Sequence, residues 1–152
     1  MYKRQAYVNR VLAGLDHAVG DVTRIVVTDR TIPPHAIDRL KEIYLDNELL
    51  QLVVDVYQED LFRNLAGIRP NPGDKKTTVV ELITVTPRCV FAKVRTDASE
   101  VALTADAIYE QWVGITPIEG RDTPRSNLTS WGFVYEGFAP DLSAPLDPCV
   151  DF

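Results

Sequence analysis

The chain is poor in the side chains that most often carry chemistry. Two histidines, His17 and His35, and two cysteines, Cys89 and Cys149, are all it has in 152 residues. None of them stands at a metal-ligand spacing, so neither a zinc or other metal site nor a cofactor is expected. A glycine-rich phosphate loop, an HExxH helix, a GxSxG elbow and a Cys/His nucleophile pair are all missing. Clustered positive charge is missing too. Sixteen Lys and Arg face 22 Asp and Glu, for a net charge of −6, and the one adjacent lysine pair lies in the turn-like Gly73–Lys76. Nucleic acid and anionic lipid are therefore poor partners, because neutralising phosphates needs a basic patch. No apolar run approaches the ~18 residues that a membrane span requires. Internal repeats and low-complexity segments are absent.

The N-terminus raises a separate question. Tyr2-Lys3-Arg4-Gln5 is what the bases TATAAGAGACAG encode, and a preceding GTG read as a start codon supplies Met1. That string resembles the end of a transposon sequencing adapter, so residues 1–5 are expected to be a scar, with native sequence from about Ala6. On this expectation the domain is 6–138 and the C-terminal tail is 139–152. An export signal or lipid anchor would then belong upstream of Ala6.

Cys89 and Cys149 bear on compartment. Cys149 lies in a polar, proline-rich tail where a free thiol would be odd. One bridge tethering that tail would explain both cysteines and imply an oxidising compartment; the alternative is two unrelated reduced thiols.

Apolar spacing makes the first half helical. Val8, Val11, Leu12, Leu15, Val19, Val22 and Val26 recur at three and four residues, predicting a helix from about Ala6 to Val27 with a weak point at Gly20. Pro34 suits the start of a second helix, with Ile37, Leu40, Ile43 and Tyr44 on its apolar face. A third restarts near Asp46-Asn47 and is expected to run towards Gly67. Beyond "RPNPGDKK" the texture turns to β. Strands are predicted over Thr77–Thr86, Cys89–Asp97, Tyr109–Ile118 and Trp131–Phe138. In the second, Val90, Ala92 and Val94 alternate with Lys93 and Arg95, the mark of a half-buried strand. Helices first and strands afterwards, with short links, predict an α+β fold: three N-terminal helices packed on an antiparallel sheet of about four strands.

In its order of elements, a long N-terminal helix, two further helices and then an antiparallel sheet, the chain resembles nuclear-transport-factor-two-like domains, which have the cystatin-like α+β cone. Within that group, with "AYVNRVLAGLDHAV" at its opening, "TPRCVF" mid-sheet, "RSNLTSW" before the last strand and "YEGFAPDLSAPLDPC" after it, it is similar to small exported actinobacterial proteins of unassigned function. One departure is Asn127-Leu128-Thr129-Ser130-Trp131, where prolines would be expected. Asn127-Leu128-Thr129 also fits a glycosylation sequon. The resemblance implies a curved sheet, a pocket between sheet and helices, and an extracytoplasmic location, secreted or membrane-anchored.

Some cone-fold proteins are enzymes: ketosteroid isomerases, scytalone dehydratases and SnoaL-like cyclases. They use an Asp or His base, often with a Tyr or Asp donor, in an apolar pocket. Candidates of that type here are His17 with Asp21, four apart on the first helix, Asp16 beside them, and Glu81, which interrupts a β-branched run and would need a partner if buried. Tyr135 is a candidate donor. Trp112, Phe133 and Tyr135, with Trp131, are candidates to line a ligand site. Each has a plainer reading, as solvated face, structural ion pair or core. The leading expectation is therefore a non-catalytic extracytoplasmic domain binding a partner protein or a small apolar ligand. The rival is a SnoaL-like isomerase or lyase, and a third reading is a module that pairs with a second copy through its sheet.

Overall fold

The computed structural model describes residues 2–61, 67–103, 107–118, 131–138 and 146–150. The sequon at Asn127 and most of the tail lie outside them. Val8, Val11, Leu12, Leu15, Ala18, Val19, Val22 and Val26 repeat at a spacing that gathers them on one helical face. The helix that results, α1 (Tyr2–Asp29), buries all of them and runs unbroken through Gly20. It starts ahead of Ala6 because nothing in Lys3-Arg4-Gln5 opposes helix. Arg30 closes it in the left-handed region (φ 54°), its N–H donating to the Val26 carbonyl at 2.9 Å.

Pro34, with no N–H to leave unpaired, opens α2 (Pro34–Ile43), which buries Ala36, Leu40 and Ile43. Asp46 caps α3 (Asn47–Val56) by accepting the Leu49 N–H at 2.9 Å. The regular helix stops well short of Gly67. After Val56 the chain widens into a π turn, Tyr57–Leu61, a rare form that occurs mostly as single turns within α-helices. Here Tyr57 is buried and its hydroxyl lies 2.9 Å from Thr23 Oγ1.

Four strands form one antiparallel sheet in sequence order: β1 (Lys76–Val85), β2 (Val90–Asp97), β3 (Ile108–Pro117) and β4 (Trp131–Phe138). The strand limits fall within a residue of those the sequence predicts. The helices pack on one face of the sheet. Val90, Ala92, Val94, Val113 and Ile115 meet α1 and α2 there in the main core, as the alternation along β2 predicts. Both edges are managed. Helix α1 lies along β1, and its Asn9 and Asp16 side chains accept the N–H groups of Val79 (2.8 Å) and Thr77 (2.7 Å). β1 carries two bulges beyond Val79, a common way to blunt an edge. At β4, the end of α2 is pinned by Leu45 N–H donating to the Phe133 carbonyl at 2.8 Å.

The opposite face holds a second, smaller apolar cluster of Cys89, Phe91, Trp112 and Cys149, with Tyr135 packed against it. Cys89 and Cys149 form a disulfide with their Cα atoms 5.6 Å apart. Residues 146–150 therefore lie on this outer face, where Thr84 Oγ1 donates to the Asp147 carboxylate. Pro148 sits over Gly114 so closely that a Cβ there would stand 2.7 Å from the proline ring. A disulfide-bonded pair fits an extracellular location. Among the described residues no helix is long and apolar enough to cross a membrane.

Candidate functional site

Between α1, α3 and the inner face of the sheet lies a cavity of about 650 Å³, in the middle of the range for small-molecule sites. Its wall is aliphatic, made by Val19 of α1, Leu49, Leu52, Val53 and Val56 of α3, and Ile68. Leu52 and Val56 are 61% and 54% exposed and mark its mouth. A limited polar set interrupts this wall: Thr23, Tyr44, Tyr57, Lys75, Tyr109 and Glu136.

Each polar group has an identifiable reason for its place. Thr23 donates to the Val19 carbonyl at 3.0 Å, so its oxygen accepts from the Tyr57 hydroxyl. Tyr44 is buried and stacked on Phe133, ring centroids 5.5 Å apart. Lys75 is delivered by the loop before β1, which is clamped to α1. Arg24 Nη1 donates to Asp74 Oδ1 at 2.8 Å and to the Pro72 carbonyl at 3.3 Å, and its Nη2 donates to Asp21 Oδ1 at 2.7 Å. His17 Nδ1 meets Asp74 Oδ2 at 2.9 Å. The loop can come this close because residue 20 is glycine: a Cβ there would overlap Asp74 Oδ1.

Glu136 owes its position to a bulge. Gly114 of β3 pairs with Tyr135, but the next residue, Ile115, pairs with Phe133, which leaves Val134 as an extra residue in β4. A bulge re-aims the side chains beyond it. Trp131 and Phe133 face the core, Tyr135 turns to the outer face, and Glu136 enters the cavity.

From Glu136 a row of hydrogen bonds crosses the whole sheet. Gln111 Nε2 donates to Glu136 Oε1 at 3.3 Å and to Thr96 Oγ1 at 3.2 Å. Thr77 Oγ1 lies 3.4 Å from Thr96 Oγ1 and donates to Asp16 Oδ1 at 2.8 Å. One polar line thus joins the cavity carboxylate on β4 to a buried carboxylate on α1, passing through β3, β2 and β1. Polar groups at this depth are tolerated only when so satisfied.

The electrostatics follow from burial and from these neighbours. Burial pushes the Asp16 carboxyl up to about 6, against the opposing pull of Lys75 and the two bonds from Thr77. Burial works against the charge of Lys75, but Glu136, Tyr109 and Asp16 outweigh it and hold the ammonium above its ordinary value. Tyr44 is pushed well up by burial and then by Glu136 and Tyr57, so it stays a neutral phenol. Although burial pulls the other way, the bonds from His17 and Arg24 keep Asp74 below the usual carboxylate range.

Of the residues singled out from sequence, Asp16 ends the polar row on α1, and the others fall elsewhere. His17 and Asp21 do meet (3.7 Å), but on the outer surface of α1 as part of the Asp74–Arg24 clamp, with His17 45% exposed. Glu81 is exposed, paired in register with Lys93 and beside a shallow depression lined by Arg4 and Gln5, because the bulge at Val80 turns it from the core. Trp112 and Tyr135 lie on the outer face around Phe91, where Lys93 covers Trp112 and pairs with Glu110 at 3.1 Å. Phe133 is in the core behind Tyr44 and outside the cavity lining. His35 is exposed on α2. No grouping of His, Cys, Asp and Glu able to hold a metal occurs among the described residues. Comparisons with protein-family models, curated proteins and solved structures give no match for this chain.

Proposed function

We propose that this domain is a non-catalytic, extracytoplasmic binding protein that takes a small, largely apolar ligand into the cavity, on a scaffold of the nuclear-transport-factor-two-like kind. The carrying observation is the cavity itself: an aliphatic wall with a short polar floor, open at Leu52 and Val56. Apolar pockets with a limited set of convergent polar groups are the usual form of a ligand site. The order of elements supports the scaffold and the disulfide supports the compartment. A partner protein or a second copy on the sheet has less behind it, since the disulfide-tethered tail covers part of the outer face. The rival isomerase or lyase would draw on Glu136 as its base: of the bases expected from sequence, Asp16 is engaged on both oxygens by Thr77, and His17, Asp21 and Glu81 lie outside the cavity lining. Glu136 is hydrogen-bonded to Gln111 and is the strongest charged partner of Lys75, an arrangement suited to holding a group in place.

The test is saturable binding of the neutral dye Nile red, read by its blue shift, in wild type and in Val56→Trp. Residue 56 is at the mouth and exposed, so the indole blocks entry without touching the core. The dye should bind wild type, and the variant should lose that binding at an unchanged melting temperature. No binding by wild type, or equal binding by both, rejects the cavity as the site.

A further inference from the structure

The polar floor of the cavity specifies more than an apolar guest. Lys75 and Glu136 both line it, and Glu136 is the largest charged influence on Lys75. One presents N–H donors and the other carboxylate acceptors, with Glu136 Oε1 already taking a bond from Gln111. The two lining groups are therefore opposite in charge and bipolar in hydrogen bonding. Asp16, behind the wall, is engaged on both oxygens by Thr77 and leaves no excess positive charge for a second anion. A carboxylate guest would add a further negative group around one lysine. An ammonium guest would compete with that lysine for Glu136. Either would bury a charge without a partner of its own. A head group that donates and accepts while carrying no net charge meets both wall groups and disturbs neither.

We infer that the ligand is an uncharged amphiphile, an apolar body ending in a neutral head such as a carboxamide that is held between Lys75 and Glu136. This inference rests on the binding reading above and deepens it. The head accepts from the Lys75 ammonium and donates to the Glu136 carboxylate, while the body lies along Val19, Leu49, Val53 and Ile68.

The experiment is displacement of Nile red from the intact, disulfide-bonded protein by decanamide, decanoate and decylamine, at one neutral pH and fixed ionic strength. Decanamide should displace the dye at concentrations roughly tenfold or more below either ion, the scale expected when a buried charge lacks its partner. The selectivity should invert with the wall. Glu136→Gln leaves Lys75 unbalanced and should make decanoate the best competitor, whereas Lys75→Met should favour decylamine. Decanoate or decylamine matching decanamide on wild type, or a ranking unmoved by both variants, overturns the neutral-head inference while leaving ligand binding intact. Dye that binds wild type and Val56→Trp alike would instead show that the cavity reading has failed, and this inference with it.

Discussion

Asp16→Asn tests the buried end of the polar row, and its outcome depends on pH in a way that can be worked through. The Asp16 carboxyl titrates near 6 in the folded protein, raised by burial, against 3.8 in the unfolded chain. It is 6% exposed, so solvent screens it little. Because the folded form holds its proton more tightly, rising pH strips the unfolded chain first. Stability therefore falls from about pH 4 to about pH 6 and is level beyond. Two pKa units correspond to about 3 kcal/mol of destabilisation at neutral pH. The asparagine side chain of the variant cannot ionise, so it removes this dependence. Its carbonyl still accepts from Thr77 Oγ1, but its amide faces the Thr77 N–H, which loses its acceptor at a cost of about 1–2 kcal/mol. In urea unfolding followed by tryptophan fluorescence, the variant should be less stable than wild type by about 1–2 kcal/mol near pH 4 and more stable by a similar margin near pH 7.5. The two stability curves should cross. Asp74 does not interfere, because its depressed carboxyl stabilises the fold above 3.8 and loses that effect only at lower pH. Parallel curves for variant and wild type would refute the reasoning, since Asp16 would then carry no burial penalty.

Replacing both cysteines, Cys89→Ser with Cys149→Ser, should lower stability by about 4 kcal/mol, the chain-entropy value for a closure spanning 60 residues. It should also shift tryptophan emission to the red as the cluster around Trp112 opens, and an unmoved spectrum would mean that the tail does not cover it. Gly20→Ala should destabilise despite the gain of about 1 kcal/mol in helix propensity, because its methyl displaces Asp74 from Arg24 and His17. In an Asp74→Ala background the same change should stabilise, and a double-mutant cycle with no coupling would sink that explanation.

Much of the scaffold was legible because it depends on periodicity. The apolar residues of α1 recur as a helix requires, and Val90, Ala92 and Val94 alternate as a half-buried strand requires; both patterns survive in the structure. The cavity chemistry was mostly illegible because it depends on exceptions to periodicity. Simple alternation puts Tyr135 on the same face as Phe133, and only the bulge at Val134 brings Glu136 inward instead. Lys75 reads as half of a solvated lysine pair until the Arg24–Asp74 clamp turns its loop against α1. Glu81 is a charge in an apolar run, but it lies beside a bulge that turns it to solvent. One signal was there to be used. Thr77, Thr96 and Gln111 are polar at inward-facing strand positions, where alternation alone calls for apolar residues. A polar residue that breaks the pattern on a covered face marks a buried network.

The bulge in β4 also sets how the cavity can change over descent. Side chains on a strand are read out in a frame of two, and the extra residue at Val134 is a shift in that frame. Pairing the second half of β4 without it would exchange the carboxylate of Glu136 for the phenol of Tyr135 in the cavity wall, with no codon substituted. A floor that pairs the Lys75 ammonium with a carboxylate and one that sets it beside a phenol are thus neighbours separated by a single step in strand register. Among descendants of this chain, a change of one residue in length near β4 would alter the chemistry of the cavity lining more sharply than most point substitutions in the aliphatic wall.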